Sequence, residues 1–264
     1  MTQNPALAIR PLAAPDEAAW RDLWRGYLDY YETVLPEAVY ATTFARLLAG
    51  GPGEFRGRMA LLDGRPVGLV HFLFHPSSWA EREVCYLQDL FTLPEVRGHG
   101  VARALIERVY AEADVNGTPA VYWFTQDFNA TARRLYDRIG EATPFIRYNR
   151  RAGETGAAGP GVVIRPVEAR DEDAWRGLWA DYLTFYEAEL PEAVTASTFA
   201  RITSDDPLTM RGLLLEVDGR AAGLVQYVMH RTCWKDERVT YLQDLYARPE
   251  IRGRGLGRAL IGAV

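Results

Sequence analysis

Residues 87–103 read Leu-Gln-Asp-Leu-Phe-Thr-Leu-Pro-Glu-Val-Arg-Gly-His-Gly-Val-Ala-Arg, a strand followed by a proline turn and a glycine-bearing helix start. Pro94 ends the ladder because it has no N–H, and residues 102–110 have helical composition. Gly98 and Gly100 carry no side chain, so successive backbone N–H groups can turn outward together at the positive end of that helix. A phosphate there is held by hydrogen bonds and by the helix dipole. We read the backbone of Gly98, His99, Gly100, Val101, Ala102 and Arg103 as a pyrophosphate cradle, with Arg97 at its edge. The competing reading is a tight strand-to-helix turn that binds nothing. Two other phosphate sites are excluded: a dinucleotide fingerprint needs glycine where Arg103 stands, and a P-loop needs Gly-Lys-Ser/Thr, which is absent.

The elements that must position this stretch occur twice. Ile9-Arg10-Pro11 returns as Ile164-Arg165-Pro166, Trp20 and Trp24 as Trp175 and Trp179, and Tyr86-Leu87-Gln88-Asp89-Leu90 as Tyr241-Leu242-Gln243-Asp244-Leu245. The offset is 155 throughout, without a gap as far as Val109 and Val264, so the chain is a tandem duplication. We expect a complete unit over 1–150, a glycine- and alanine-rich linker over 151–161, and a second unit over 162–264 that is truncated inside its cradle helix. Within the first unit, residues 6–11 read as a strand, and Asp16 is placed to cap the helix after it. Trp20, Leu23, Trp24, Tyr27, Leu28 and Tyr31 form the apolar stripe of that helix, and a second helix starts near Pro36-Glu37. Asp63-Gly64 predicts a two-residue hairpin turn, and 84–93 a further strand. After the cradle helix come a strand over 120–125, a helix over 129–138 and a last strand around 145–148. This order predicts an α/β fold with a mixed sheet, antiparallel early and with a right-handed crossover after the cradle.

At 264 residues the chain suits two domains, and its 48% hydrophobic and 25% charged residues are globular values. No apolar run is long enough to span a bilayer, and the first residues lack the charged start and apolar core of a signal peptide, so a cytoplasmic protein without membrane partners is expected. A net charge of −5 speaks against nucleic-acid binding and favours a cationic substrate. Cys85 and Cys233 form no metal-type spacing and read as small buried hydrophobes, so no metal is expected.

Arg97, Gly100 and Ala102 fit the acetyl-CoA signature Arg/Gln-x-x-Gly-x-Gly/Ala, and Arg252, Gly255 and Gly257, with Gly253 between, repeat it. Residues 129–136, Asn-Ala-Thr-Ala-Arg-Arg-Leu-Tyr, look like the Asn-x-x-Ala-x-x-Leu-Tyr helix of the same proteins. On these motifs and on the element order the chain resembles the GNAT N-acetyltransferase superfamily, tandemly duplicated. The resemblance implies acetyl-CoA as acetyl donor, its pyrophosphate on the cradle and its pantetheine arm beside Leu90, Phe91 and Thr92, with Asn129 and Ala132 adjoining. It implies Tyr136 as the acid that protonates the departing thiolate, a packed core aromatic being the competing reading. Tyr86-Leu87-Gln88-Asp89-Leu90-Phe91 is similar to the strand of diamine acetyltransferases, whose glutamate base stands where this chain has Gln88. Glutamine accepts no proton at neutral pH, which leaves Asp89, Glu32 or a histidine acting through water as the base. Tyr31 and Glu32 match a substrate-contacting pair of the same enzymes, and with Gln88 they form the expected acceptor site. His75 and His230 read as structural, and His71 is replaced by Gln226 in the second repeat. The expected activity is acetyl transfer to a primary amine of a small molecule or polyamine by direct attack, with protein lysine or N-terminal acetylation and non-catalytic acyl-CoA sensing as alternatives. An internal pseudo-dimer is expected, with a homodimer as a further option.

Overall fold

A computed structural model of the chain describes residues 6–118, 120–150, 159–206 and 208–264; most of the expected linker, 151–158, lies outside them. The chain divides into two units. In the first, β1 (Leu7–Pro11), β2 (Arg56–Leu62), β3 (Arg65–His75), β4 (Val84–Thr92) and β5 (Val121–Tyr122) form one sheet in chain order. β1 to β3 pair antiparallel, and β5 runs parallel to β4, joined to it through α3 (Val101–Val115). The remaining helices are α1 (Glu17–Tyr30), α2 (Glu37–Ala49) and α4 (Ala130–Ile139). The hairpin turn forms as its sequence dictates, with Asp63 and Gly64 at φ 51° and 80°.

α1 buries Trp20, Leu23, Trp24, Tyr27 and Leu28 against the α2 residues Tyr40, Phe44 and Leu47 and the β3 residues Leu69 and Leu73. Each of these large side chains contributes about 1.5–3 kcal/mol on burial. The opposite face of the sheet carries α3, whose Val101, Leu105, Ile106 and Val109 pack with Val70, Phe72, Cys85 and Leu87. Alternation along β4 slips by one. Cys85, Leu87 and then Leu90 face α3, whereas Phe91 joins the α1 cluster and Asp89 turns to the same side. A strand that gains a residue in this way behaves as a bulged strand and re-aims the side chains beyond the slip.

In the second unit, β6 (Val162–Pro166), β7 (Met210–Val217), β8 (Arg220–Thr232) and β9 (Lys235–Ala247) form a four-stranded sheet, accompanied by α5 (Glu172–Phe185), α6 (Glu192–Ile202) and α7 (Leu256–Ala263). The faces slip at the same place: Leu242 and Leu245 share one cluster, and Tyr246 belongs to the other.

The units exchange short segments. The first takes Met1–Phe74, Val84–Ile146 and Arg231–Arg238, and the second takes His75–Glu83, Arg147–His230 and Val239–Val264. Thus the tip of the β8–β9 hairpin belongs to the first unit, and the β3–β4 connection to the second. Three local expectations are corrected. No strand forms around 145–148, where Phe145, Ile146 and Tyr148 are exposed. The strand expected over 120–125 is only the two residues of β5. Asp16 does not cap α1 through its side chain; its carboxylate accepts the Ala13 N–H at 2.8 Å and pairs with Arg10.

Candidate active site

The cradle takes the backbone form that its glycines permit. Gly98 and Gly100 sit at φ 82° and 81°, and Gly253 and Gly255 repeat this at 77° and 76°. An L side chain is strained there, although a Cβ at these four positions would meet nothing within 4 Å. Gly100 is the N-cap of α3, and the first helical bond runs from the Ala104 N–H to the Gly100 carbonyl at 2.9 Å. The amides of Val101, Ala102 and Arg103 precede it and are donors without an intrahelical acceptor. Arg97 and His99 are exposed beside them. In the second unit the corresponding bond joins Ala259 to Gly255 at 3.1 Å, Arg252 lies over the rings of Phe185 and Tyr246, and Gly257 is inside the helix. Gly98, Gly100 and Arg103 are exposed, Ala102 is half-buried and Val101 buried, and first-turn donors behind exposed glycines fit a pyrophosphate.

Leu90 and Thr92 are half-buried on β4, and the Phe91 ring is buried against Gly26 of α1, where a Cβ would stand 2.8 Å from its Cζ. Only the backbone of Phe91 is therefore offered to a ligand. Asn129 caps α4, its Oδ1 accepting the Ala132 N–H at 3.2 Å. Seven residues on, Tyr136 returns to the same face, half-buried, its ring 5.4 Å from that of Trp123. Burial foremost, with the nearby phenols of Tyr31 and Tyr30, raises its pKa to about 12, so it holds a proton to donate.

At the end of α1 the chain adopts a Schellman motif: the Thr33 N–H bonds the Leu28 carbonyl and the Glu32 N–H that of Asp29, both at 3.0 Å. Glu32 occupies the left-handed position usually given to glycine, at φ 50°, and Glu187 does so in the second unit at 51°. Glu32 is exposed and Tyr31 half-buried beside it, in edge contact with Tyr27, Tyr30 and Trp234.

Asp89 is fully buried. Its Oδ1 accepts the Trp234 indole N–H at 2.9 Å, and its Oδ2 pairs with His71 Nδ1 at 2.9 Å and takes a longer bond, 3.3 Å, from Gln88 Nε2. Trp20 Nε1 donates to His71 Nε2 at 2.9 Å; an indole can only donate, so the proton of neutral His71 is on Nδ1, aimed at Asp89. Gln88, expected in the acceptor site, thus directs its amide N–H to Asp89. Cys233 completes the group: its sulfur and the ligating atoms of His71 and Asp89 lie within 4.8 Å of one another, and burial pushes its thiol well up. Gln226, Asp244 and Ser78 occupy the corresponding positions of the second unit. There Asp244 accepts from Trp79 at 2.9 Å, Tyr182 at 2.8 Å, Gln226 at 3.1 Å and the Ser78 hydroxyl. Glutamine and serine suit hydrogen bonding better than transition metals, so the shared design is a hydrogen-bonded carboxylate.

The sequence reading missed Cys233 and Trp234 as members of this site. Their only signal was the 155-residue equivalence of Trp79 and Trp234, which says that the residue matters but not in which unit. His75 and His230 stack at 5.5 Å within the second unit, and burial with the neighbouring His230 lowers His75 to about 4.

A chain with this β4–cradle–α3 unit repeated carries the features of an acyl-CoA-dependent transferase. The profile of the family described as "Acetyltransferase (GNAT) family" matches residues 19–140 and 173–264, more than half of the chain, which therefore belongs to that family. The "D-amino-acid N-acetyltransferase HPA3" of Saccharomyces cerevisiae is 38% identical over 149 residues, 56% of this chain and 92% of that protein. The "Thialysine N-epsilon-acetyltransferase" of Mus musculus is 32% identical over 89 residues, 34% of this chain and 48% of that protein. Among solved structures, an aminoglycoside N-acetyltransferase, AAC(6')-Iy, described in complex with CoA, covers 58% of this chain and 99% of its own at a TM-score of 0.51 and 18% identity, a likeness of fold. The chain is accordingly an N-acetyltransferase of tandem GNAT fold, in a family whose acetyl donor is acetyl-CoA. No helix among the described residues is long and apolar enough to cross a membrane.

Proposed function

We propose that the first unit transfers acetyl from acetyl-CoA to a primary amine of a small molecule by direct attack in a ternary complex. The observation that carries this reading is the approach of the segment before α4 to the end of α1, where the Tyr30 hydroxyl donates to Gln126 Oε1 at 3.4 Å and burial, with the phenols of Tyr31 and Tyr30, raises the pKa of Tyr136. An acid for the thiolate and an aromatic, carboxylate-bearing site for a cation therefore adjoin. In this reading, the cradle amides hold the pyrophosphate, backbone N–H groups near Phe91 polarise the acetyl carbonyl, Tyr31 and Glu32 hold the ammonium, and Tyr136 protonates the leaving sulfur. Relatives named for D-amino acids and for thialysine support a small, amino-acid-like acceptor, and an acidic chain suits polyamines as well.

Thiol release from acetyl-CoA across D-amino acids, thialysine, polyamines, aminoglycosides and basic peptides tests this directly. Wild type should use at least one small amine. Tyr136→Phe should lower kcat by about 10²-fold while the acetyl-CoA dissociation constant holds. Because its raised pKa keeps Tyr136 protonated up to about 12, wild-type kcat should show no alkaline fall well below that pH. An unaltered kcat in Tyr136→Phe removes the acid assignment, and a wild type inert toward every amine removes the activity.

A further inference from the structure

The parallel pairing of β4 with β5 ends after two rungs. Cys85 pairs with Val121 and Tyr86 with Tyr122, after which β5 stops while β4 runs on to Thr92. On that side residues 87–92 of β4, whose backbone polarises the acetyl carbonyl in the reading above, have no strand neighbour among the described residues. The last rung therefore stands at the opening. Side chains here keep the alternation of a strand. Trp123 turns to Tyr136 and Tyr110 on the α3 face, at 5.4 and 6.4 Å between ring centres, whereas Tyr122 and Phe124 turn to Tyr86 on the face of α1. The Tyr86 and Tyr122 rings stack at 5.1 Å with 20° between their planes. Phe124 meets them edgewise, at 5.9 and 5.8 Å and at 65° and 83°. Two near-parallel rings crossed by a third make a corner, where a further flat ring finds both arrangements that aromatic pairs favour, offset stacking on one wall and edge contact with the other.

The corner adjoins the expected acceptor residues. Tyr86 and Tyr122 are half-buried, and Phe124, at 47% exposed, faces solvent. Gln126, two residues beyond Phe124, accepts the Tyr30 hydroxyl at 3.4 Å, which ties this stretch to the end of α1 with its half-buried Tyr31 and exposed Glu32. A carboxylate beside an aromatic corner is complementary to a molecule with one ammonium and one flat ring. We propose that Tyr86, Tyr122 and Phe124 select the acceptor, holding the aromatic ring of a ring-bearing primary amine, such as an aromatic amino acid or an arylalkylamine. The proposal rests on the amine acetyltransferase reading above and names the substrate class of that same site. The corner touches the acceptor's ring and none of the reacting atoms.

The test compares kcat/KM of the full chain for 2-phenylethylamine and for ethylamine, the same amine without its ring, in wild type, Phe124→Ala and Tyr122→Leu. Wild type should prefer the ring-bearing amine by at least about tenfold, from burial and stacking of the ring together. Either substitution takes away one wall, and the preference should fall about fivefold, chiefly through the KM for 2-phenylethylamine. 2-Cyclohexylethylamine, of similar size but without a π face, should be used about fivefold less well by wild type, a comparison that needs no variant to fold. Equal use of the phenyl and cyclohexyl amines, no wild-type preference over ethylamine, a preference intact in both variants, or spermidine used better than 2-phenylethylamine overturns the proposal. Those results leave amine acetylation standing. A wild type that acetylates no amine at all defeats the proposed function itself, so the two failures are distinguishable.

Discussion

His71 and Gln226 are chemically unlike and do the same work. Each accepts a hydrogen bond from a buried tryptophan, Trp20 or Trp175, and makes another with a buried aspartate. What the position requires is an acceptor on one side and a donor on the other, held in a plane, and either neutral imidazole or a primary amide meets that need. His71→Gln should therefore fold with a stability within about 1 kcal/mol of wild type, whereas His71→Ala leaves the Trp20 N–H and one side of Asp89 unsatisfied and should cost about 3 kcal/mol. Urea unfolding of both variants measures the difference. Equal destabilisation would mean that ring volume, not hydrogen bonding, is what His71 supplies.

The end of α1 shows an element set against its own preference. A Schellman motif favours glycine at the left-handed position, yet both repeats place glutamate there, Glu32 and Glu187. Glu32→Gly should stabilise the chain by up to about 1 kcal/mol and, if the carboxylate holds the ammonium, raise the KM for the amine at least tenfold with little change for acetyl-CoA. A stabilised variant with an unchanged amine KM would show that the carboxylate has no part in binding. Several elements are legible in the sequence alone: the tryptophan stripe of α1, the Asp63-Gly64 turn, the cradle glycines and the helix beginning at 129 all come from local periodicity or from a backbone form that one residue type satisfies. The slip in β4 is not. Both faces of that strand are buried, so neither an apolar nor a polar residue betrays which way Leu87, Asp89 and Leu90 turn. Phe145, Ile146 and Tyr148 misled for a related reason: β-forming side chains do not make a strand where no neighbour pairs with it.

On the scale of the whole molecule, the duplication was plain from the 155-residue offset, but the exchange of segments was not, because a swap leaves the local sequence of both repeats unchanged. It places Trp234, from the second repeat, on Asp89 of the first unit, and Trp79, from the first repeat, on Asp244 of the second. Trp234→Ala should loosen the first unit by about 3 kcal/mol, read as faster amide exchange in α1 and β4, while α5 and α6 keep their protection. Trp79→Ala should do the reverse. If Trp234→Ala instead loosened α5 and spared α1, the assignment of segments to units would be wrong.

The exchange also sets a timetable for synthesis. Domains ordinarily fold in turn as the chain leaves the ribosome, but the first unit here includes Arg231–Arg238, which emerges after nearly everything else in this sequence. Until then Asp89 lacks the Trp234 indole, and Thr43 lacks the Cys233 carbonyl to which its hydroxyl donates at 2.9 Å. The first repeat is thus finished only after most of the second has been made, and a nascent chain arrested anywhere in the second repeat before residue 231 carries a first unit with its buried carboxylate still incompletely enclosed.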